Sequence, residues 1–492
     1  MQNINLTINI SNSSASVNID INIAEPAKPI ITETIETESI ITEPIETETI
    51  ITETIETKPI VTETIETKPI VTETIDMVPI VTETIDMVPI DKVPMFGSEE
   101  EKIFKKSLNG TSYDIAEWFM FNRKCFKCAS IKYGIWYEFK NHRWTEIDSA
   151  YTLINSISEE LVNDYLAYST YLVNKLKFVS SCDRQFIIEN IASASKIVKK
   201  LCNSIFKNTI IKECCLIAFD PYFIKRLDEN KDLICFENGV YDLYNKKFRD
   251  GKPNDYISLC TNYKYVPYDK ETNNIKKLLR QIIPDKIVRK YLLTILSTCI
   301  TASNPNEDFY ILTGSNSKNI IMQLLKYALG DLYKAMDILV LVGKRTSSST
   351  ANPELADKKG IRVCSFDEPM ATHEINEYFI NLVMKQDMAM TTALFREPIY
   401  FNTQFKPFLV CDKMPMIESK DDGLWRRIKV IRLDTIITEQ ITNEMGQELM
   451  SLLINKFDKN KLVHPAYVIR ETQIYHQACI NYNALENIIG AY

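Results

Sequence analysis

Along the first ninety residues, apolar and polar positions alternate without ever forming a helical stripe. Residues 31–90 are six ten-residue repeats, among them ITETIETESI and VTETIDMVPI, in which Ile, Thr and Glu alternate. A period of two is strand-like. Yet Pro59, Pro69, Pro79 and Pro89 recur in the later copies and interrupt helix and central strand alike. The repeats hold no aromatic residue and no glycine. They have little from which to build a core, so the expectation over 1–97 is a disordered, acidic, low-complexity tail. The other reading is an adhesive or stacked β array, because β-branched alternation also aggregates. Neither reading gives this segment any chemistry.

The pattern changes near residue 98. Trp118, Phe119 and Phe121 open an aromatic stretch that continues through Trp136-Tyr137-Glu138-Phe139 and Asn141-His142-Arg143-Trp144. Its spacing predicts a small hairpin turning at Lys140-Asn141. Over 150–225 apolar residues fall three and four apart, as at Leu153, Ile154, Ile157 and Leu161, which predicts helices. Asn238-Gly239 marks a second hairpin, and 275–303 is helical again. From residue 308, short apolar runs (309–312, 361–366, 408–411 and 428–433) alternate with helical or turn stretches. That order predicts an α/β fold with a mostly parallel sheet. The expected division is a mixed α+β region over 98–272, an α/β domain over 273–440 and a short helical C-terminal region over 441–492.

Composition narrows the class. The chain has 492 residues, 45% hydrophobic and 25% charged, enough for several packed domains. Only 12 residues are Gly, which excludes collagen. No apolar run is long enough to predict a membrane span. The first residues lack a basic start followed by an apolar block, so no secretory signal is expected. The net charge of −8 hides an asymmetry, because residues 1–95 carry 17 acids and 4 bases. The remainder is mildly basic and so permits nucleic-acid binding. Twelve cysteines are scattered, mostly in apolar runs, as expected of reduced thiols in a cytosol-like compartment. Cys125-Phe126-Lys127-Cys128 has zinc-ligand spacing, but no second pair follows. His142, Cys214 and Cys215 are too irregularly placed to complete a tetrahedral site, so structural thiols are the expectation.

The candidate chemistry begins at Leu312-Thr313-Gly314-Ser315-Asn316-Ser317-Lys318-Asn319, followed by the amphipathic Ile320, Ile321, Leu324, Leu325 and Ala328 and closed by Gly330. A strand, a polar loop, a lysine and then a helix make a phosphate-site grammar. Helix N-terminal N–H groups and Lys318 would face the phosphates. The loop departs from the phosphate-loop pattern at Leu312, Ser317 and Asn319. Ser317 adds a Cβ where a Gly-only backbone is expected. Asn319 offers a weaker Mg²⁺ ligand than a hydroxyl. The alternative is an ordinary α/β strand–loop–helix. Downstream, the strand ending in Asp367-Glu368 puts paired carboxylates where Mg²⁺ and an attacking water could be held. A solvated strand end is the plainer reading. At Cys411-Asp412-Lys413 a polar residue could sense a terminal phosphate, but the Asp412 charge there is unfavourable unless neutralised. Arg426 and Arg427, just ahead of the last strand, could serve a neighbouring subunit's nucleotide or merely anchor a loop.

In this order, the features resemble the superfamily 3 helicase module of poxvirus-type viral primase-helicases, over roughly residues 110–490. The segments 136–144 and 238–242 resemble the linker between primase and helicase. Asn352-Pro353-Glu354-Leu355-Ala356 and Gly360-Ile361-Arg362 resemble the approach to the acidic strand. Trp425-Arg426-Arg427-Ile428 resembles the closing motif. The resemblance implies an AAA+ ATPase core that assembles as a homo-hexamer or hetero-ring and moves on single-stranded DNA with ATP and Mg²⁺. It makes Lys318 the phosphate-binding lysine within a loop of Gly314, Ser315, Asn316, Ser317 and Asn319. Asp367 and Glu368 become the acids, with Glu368 activating water and Asp367 and Asn319 at the metal. Arg427, or else Arg426, becomes the finger. The family's sensor Asn falls on Asp412, and its DNA-facing glycines and arginine fall on Lys385, Gln386 and Thr392, around Asp387. No primase-like acidic pairs precede residue 98, so a separate primase is an expected partner, in the host cytoplasm or at a viral replication site. Two functions follow. One is a working ATP-dependent helicase. The other is a helicase-derived DNA-binding or ring-assembly subunit with impaired catalysis.

Overall fold

The computed structural model describes residues 4–10, 17–23 and 98–489, apart from 179–180, 270–273, 343–354, 356, 369–374, 376, 387, 392–398, 420 and 459–461. The repeats over 31–90 therefore lie outside the described residues. Contacts divide the chain into units of 1–84 and 85–492.

In the first unit, β1 (Ile4–Ile10) pairs antiparallel with β2 (Val17–Ile23). Sequence reading did not foresee this hairpin. The register sets Leu6 against Ile21 and Ile8 against Ile19, so the apolar residues of both strands share one face.

The second unit opens with α1 (Ser98–Ser107) and α2 (Ser112–Asn122). Thr111 caps α2 by accepting the Asp114 N–H at 3.1 Å. The aromatic stretch forms an antiparallel sheet of β3 (Phe126–Ser130), β4 (Ile135–Lys140) and β5 (Arg143–Ile147). The β4–β5 turn is Asn141-His142, with φ of +50° and +66°, as a tight two-residue hairpin requires. Helices α3 (Tyr151–Ser158), α4 (Glu160–Leu176), α5 (Ser181–Leu201), α6 (Ser204–Ala218) and α7 (Phe223–Arg226) follow. Leu153, Ile157 and Leu161 are buried in the core that α3 to α6 share with α1 and α2. Next comes a three-stranded meander of β6 (Leu233–Phe236), β7 (Gly239–Asp242) and β8 (Lys247–Arg249). Its first loop is Glu237-Asn238. A Cβ at Gly239 would lie 2.8 Å from the Arg249 carbonyl, so the glycine is needed there.

Helices α8 (Asn274–Ile282) and α9 (Lys286–Thr298) lead into β9 (Phe309–Gly314), α10 (Ser317–Leu329), β10 (Tyr333–Met336), α11 (Ile338–Val342), β11 (Val363–Phe366) and α12 (Glu377–Met384). A hairpin of β12 (Met388–Thr391) and β13 (Ile399–Asn402) precedes β14 (Lys406–Val410), α13 (Asp422–Trp425), β15 (Ile428–Leu433), α14 (Asn443–Lys456) and α15 (Ala466–Ile489). Five strands form one all-parallel sheet in the order β10-β11-β14-β9-β15. The α/β expectation holds. The strand at β10 was not foreseen, because YKAM is half polar and sits at the sheet edge.

The sheet is buried on both faces. Tyr310 and Leu312 point into a core with α8, α9, α10 and α14, while Phe309 and Ile311 point into a second core with α12, Trp425 and Tyr475. Such two-sided burial explains why these strands read as continuous apolar runs. Gly446 lets α14 approach α10, since a Cβ there would lie 2.4 Å from that of Tyr327. Lys406, at the start of β14, is buried and donates to the carbonyls of Thr298 (2.7 Å), Thr301 (3.2 Å) and Ser303 (2.6 Å). Burial pushes its ammonium pKa down to about 8.

Candidate nucleotide site

The inner strand β9 delivers the polar loop to the carboxyl end of the sheet. Gly314 has a φ of +110°, and a Cβ there would stand 2.3 Å from the Leu433 carbonyl oxygen. Only glycine fits this turn. The loop is then tied to the chain leaving β15. The Ser315 N–H donates to Leu433 O at 2.7 Å, the Ser317 hydroxyl donates to the same oxygen at 3.2 Å, and the Ser315 hydroxyl donates to Thr435 O. The Asn316 amide donates to Ile437 O at 2.6 Å and accepts the Ile437 N–H at 3.0 Å. Leu433, Thr435 and Ile437 act through backbone atoms, so no side-chain signal could have revealed them.

Ser317 corrects one expectation. It begins α10 in helical geometry with no positive φ, and its buried hydroxyl is hydrogen-bonded. The position does not need glycine. The N–H groups of Asn316, Ser317 and Asn319 find no acceptor among the described residues, and no side chain caps the helix. They are unpaired donors at a helix N-terminus, the arrangement that favours anions.

Lys318 is 4% exposed. Its ammonium donates to Gly314 O at 3.1 Å and Ser315 O at 3.3 Å and pairs with the Asp412 carboxylate. Asp412 therefore supplies a counter-charge at the position where the resemblance places an uncharged Asn. Its neighbour closes the circle, because the Lys413 N–H donates to Glu368 Oε1 at 3.1 Å. Asp367 and Glu368 are exposed at the carboxyl end of β11, and β14 alone separates β11 from β9. Burial pushes the Cys411 thiol up to about 12, and that one thiol feels Glu368, Lys318 and Asp412 together. The ammonium and the acidic pair thus meet at one end of the sheet. Asn319 is exposed beside Lys318 on the first turn of α10.

The arginines lie elsewhere. The Phe309 N–H donates to Arg427 O at 3.0 Å, which places the pair at the amino end of β9. A six-residue strand, rising about 3.3 Å per residue, separates them from the loop of their own chain. Arg427 is held by Glu307 at 2.6 and 2.7 Å and donates to Gly423 O at 3.1 Å. Arg426 is exposed and its guanidinium has no partner among the described residues. Of the DNA-facing positions, Gln386 donates to Ala302 O at 2.9 Å, whereas Asp387 and Thr392 lie outside the described residues. Of the approach segment, Asn352, Pro353, Glu354 and Ala356 lie outside as well.

Cys128 Sγ is 3.2 Å from Cys215 Sγ, and burial pushes the Cys128 thiol up to about 12. Among the described residues no group of three or more His, Cys, Asp or Glu is placed to hold a metal. No helix of the described residues is long and apolar enough to cross a membrane.

Fold and site define a class: an α/β protein with a lysine-bearing loop and a carboxylate pair at the carboxyl end of a parallel sheet. Comparison with known proteins narrows it. Residues 115–284 match the family described as D5 N terminal like. The chain is 46% identical over 425 residues to the candidate helicase L207/L206 of Acanthamoeba polyphaga mimivirus, covering 79% of this chain and 44% of that protein. It is 26% identical over 267 residues to the candidate helicase 121R of Invertebrate iridescent virus 3, covering 52% and 28%. It is 24% identical over 245 residues to the candidate primase C962R of African swine fever virus, covering 47% and 25%. The C-terminal region of NrS-1 aligns at a TM-score of 0.35 and 14% identity, covering 68% of this chain and 66% of that one. The chain is similar to proteins of large DNA viruses named as candidate helicases and primases, and it spans less than half the length of these curated relatives.

Proposed function

We propose that the chain is the motor of an ATP-dependent, AAA+ superfamily 3-type DNA helicase of viral replication, working as a homo-hexamer or hetero-ring on single-stranded DNA. The observation that carries this reading is the meeting of Lys318, three unpaired N–H groups and the Asp367-Glu368 pair at one end of the sheet. These groups fit a triphosphate. Backbone donors and Lys318 would bind its oxygens, Glu368 would orient and deprotonate a water, and Asp367 with Asn319 would hold Mg²⁺. The bound metal would supply charge neutralisation on the transferred phosphoryl group. Arg426 is free to act, while Arg427 is latched to Glu307. Neither reaches its own chain's loop, so either would serve a neighbour's site, which favours a ring. A separate primase is a partner in keeping with the relatives' names.

The second reading, a subunit with impaired catalysis, is favoured by the Lys318–Asp412 ion pair, which nucleotide must displace. ATP binding and hydrolysis by the purified chain separate the two. Under the motor reading the parent hydrolyses ATP and Lys318→Ala abolishes it. A parent without hydrolysis that gains it through Asp412→Asn with Asn319→Ser supports the impaired reading. Failure of every variant to bind nucleotide overturns both.

A further inference from the structure

Away from the phosphate loop, α8, α9 and α14 enclose a groove of about 510 Å³. Six cations line it: Lys276 and Arg280 from α8, Lys286, Arg289 and Lys290 from α9, and Lys456 from the last turn of α14. Its apolar floor includes Leu279, Leu293 and Leu452, and Asp458 is the one carboxylate on its wall among the described residues. Asp458 already has an interaction of its own. None of the six cations forms an ion pair among the described residues.

Six like charges around one groove repel one another, against a single carboxylate on the wall among the described residues. The first turn of α9 adds to the cost. Asp285 caps it by accepting the Ile287 and Val288 N–H groups, yet Lys286 and Arg289 lie within the turn, where the helix dipole disfavours cations. Arg289 is pre-set, since its guanidinium donates to Ile283 O at 2.6 Å and Pro284 O at 2.9 Å and still lines the groove. Residues 286–297 on α9 extend the lining over about 16 Å at 1.5 Å per residue, longer than a single anion. The concave shape with apolar walls does not suit a flat membrane surface.

We infer that this groove is a second nucleic-acid contact, in which the phosphate backbone of single-stranded DNA lies along α9 between α8 and α14. The choice of DNA as the polyanion rests on the helicase reading. The surface itself is independent of Lys318 and of the β12–β13 hairpin. Repeating phosphates, one charge per nucleotide, match several fixed cations better than a single carboxylate would, and their neutralisation releases counterions.

The test is fluorescence anisotropy of the full chain with a labelled oligothymidylate over a salt series. Arg280→Gln, Lys286→Gln, Lys290→Gln and Lys456→Gln together should weaken binding at least about tenfold at low salt. They should flatten the log–log salt slope by about 2 to 3, at about 0.7 for each phosphate no longer neutralised. ATP hydrolysis without DNA should be unchanged. Lys290→Glu alone should weaken binding several-fold, which keeps the test valid if the fourfold variant unfolds. Variants that stay folded and bind DNA with the parent's affinity and slope overturn this surface alone. A polyglutamate competitor as effective as DNA assigns the groove to an acidic protein and also overturns it. A parent that binds no oligothymidylate removes both this surface and the single-strand part of the helicase reading, leaving the ATP reading to its own assay.

Discussion

The residue that most sharply sets the state of the site is Asp412. It holds Lys318 in an ion pair, and it would place negative charge beside a polyphosphate. Asp412→Asn should therefore tighten nucleotide binding by about tenfold, or about 1.4 kcal/mol, as read by titration of a fluorescent ATP analogue. Lys318→Ala should lower hydrolysis by about 10²-fold or more. Lys406 is a structural counterpart. Lys406→Met leaves the carbonyls of Thr298, Thr301 and Ser303 without that donor and should cost about 2–4 kcal/mol in urea unfolding. The lysine also gives stability a pH dependence. Its folded pKa is lowered to about 8, against about 10.4 in the unfolded chain. Between those values the unfolded state binds the extra proton. This group's contribution to stability therefore rises with pH across that window, and its cost is full below it. Lys406→Met should remove that rise from the urea midpoint.

At the scale of elements, the site depends on α10 being held at both ends. Its start is tied to the strand exit at Leu433, and its end meets α14 at Gly446. Gly446→Ala should force α14 and α10 apart, costing about 1–3 kcal/mol in chemical denaturation and weakening nucleotide binding through the displaced loop. The run at 309–312 was legible because β9 lies inside the sheet with both faces covered, and the run at 428–433, although β15 is an edge strand, because Ile428, Val430, Ile431 and Leu433 are all buried. The edge strand β10 was not, since YKAM has only one fully buried residue and so forms no apolar run. Asn141-His142 shows a hairpin that local chemistry did announce, one residue later than expected. The glycine expected at residue 317 belongs instead at Gly314, where the backbone crosses Leu433. Sequence alone could not show that crossing, because the clashing atom is a backbone oxygen more than a hundred residues away.

For the whole molecule, the separation of the arginines from the loop predicts shared sites. Arg426→Ala should keep ATP binding and lose hydrolysis. Mixing it with Lys318→Ala should restore part of the activity, because a neighbour with intact Arg426 would complete the site of a chain with intact Lys318. A mixture as inactive as its components would sink the shared-site account. If the proposed ring forms, hydrolysis should also rise more than linearly with chain concentration.

What the sequence determined by itself was the α/β class, the order of its motifs and the chemical types at the site. These depend on periodicity and local turn chemistry, which neighbouring residues control. The tertiary structure decided the partnerships: Asp412 with Lys318, Glu368 with the Lys413 amide, Glu307 with Arg427 and six cations around one groove. Those pairings join residues far apart in the chain. Only the packing of five strands and their covering helices brings the charges within range of one another.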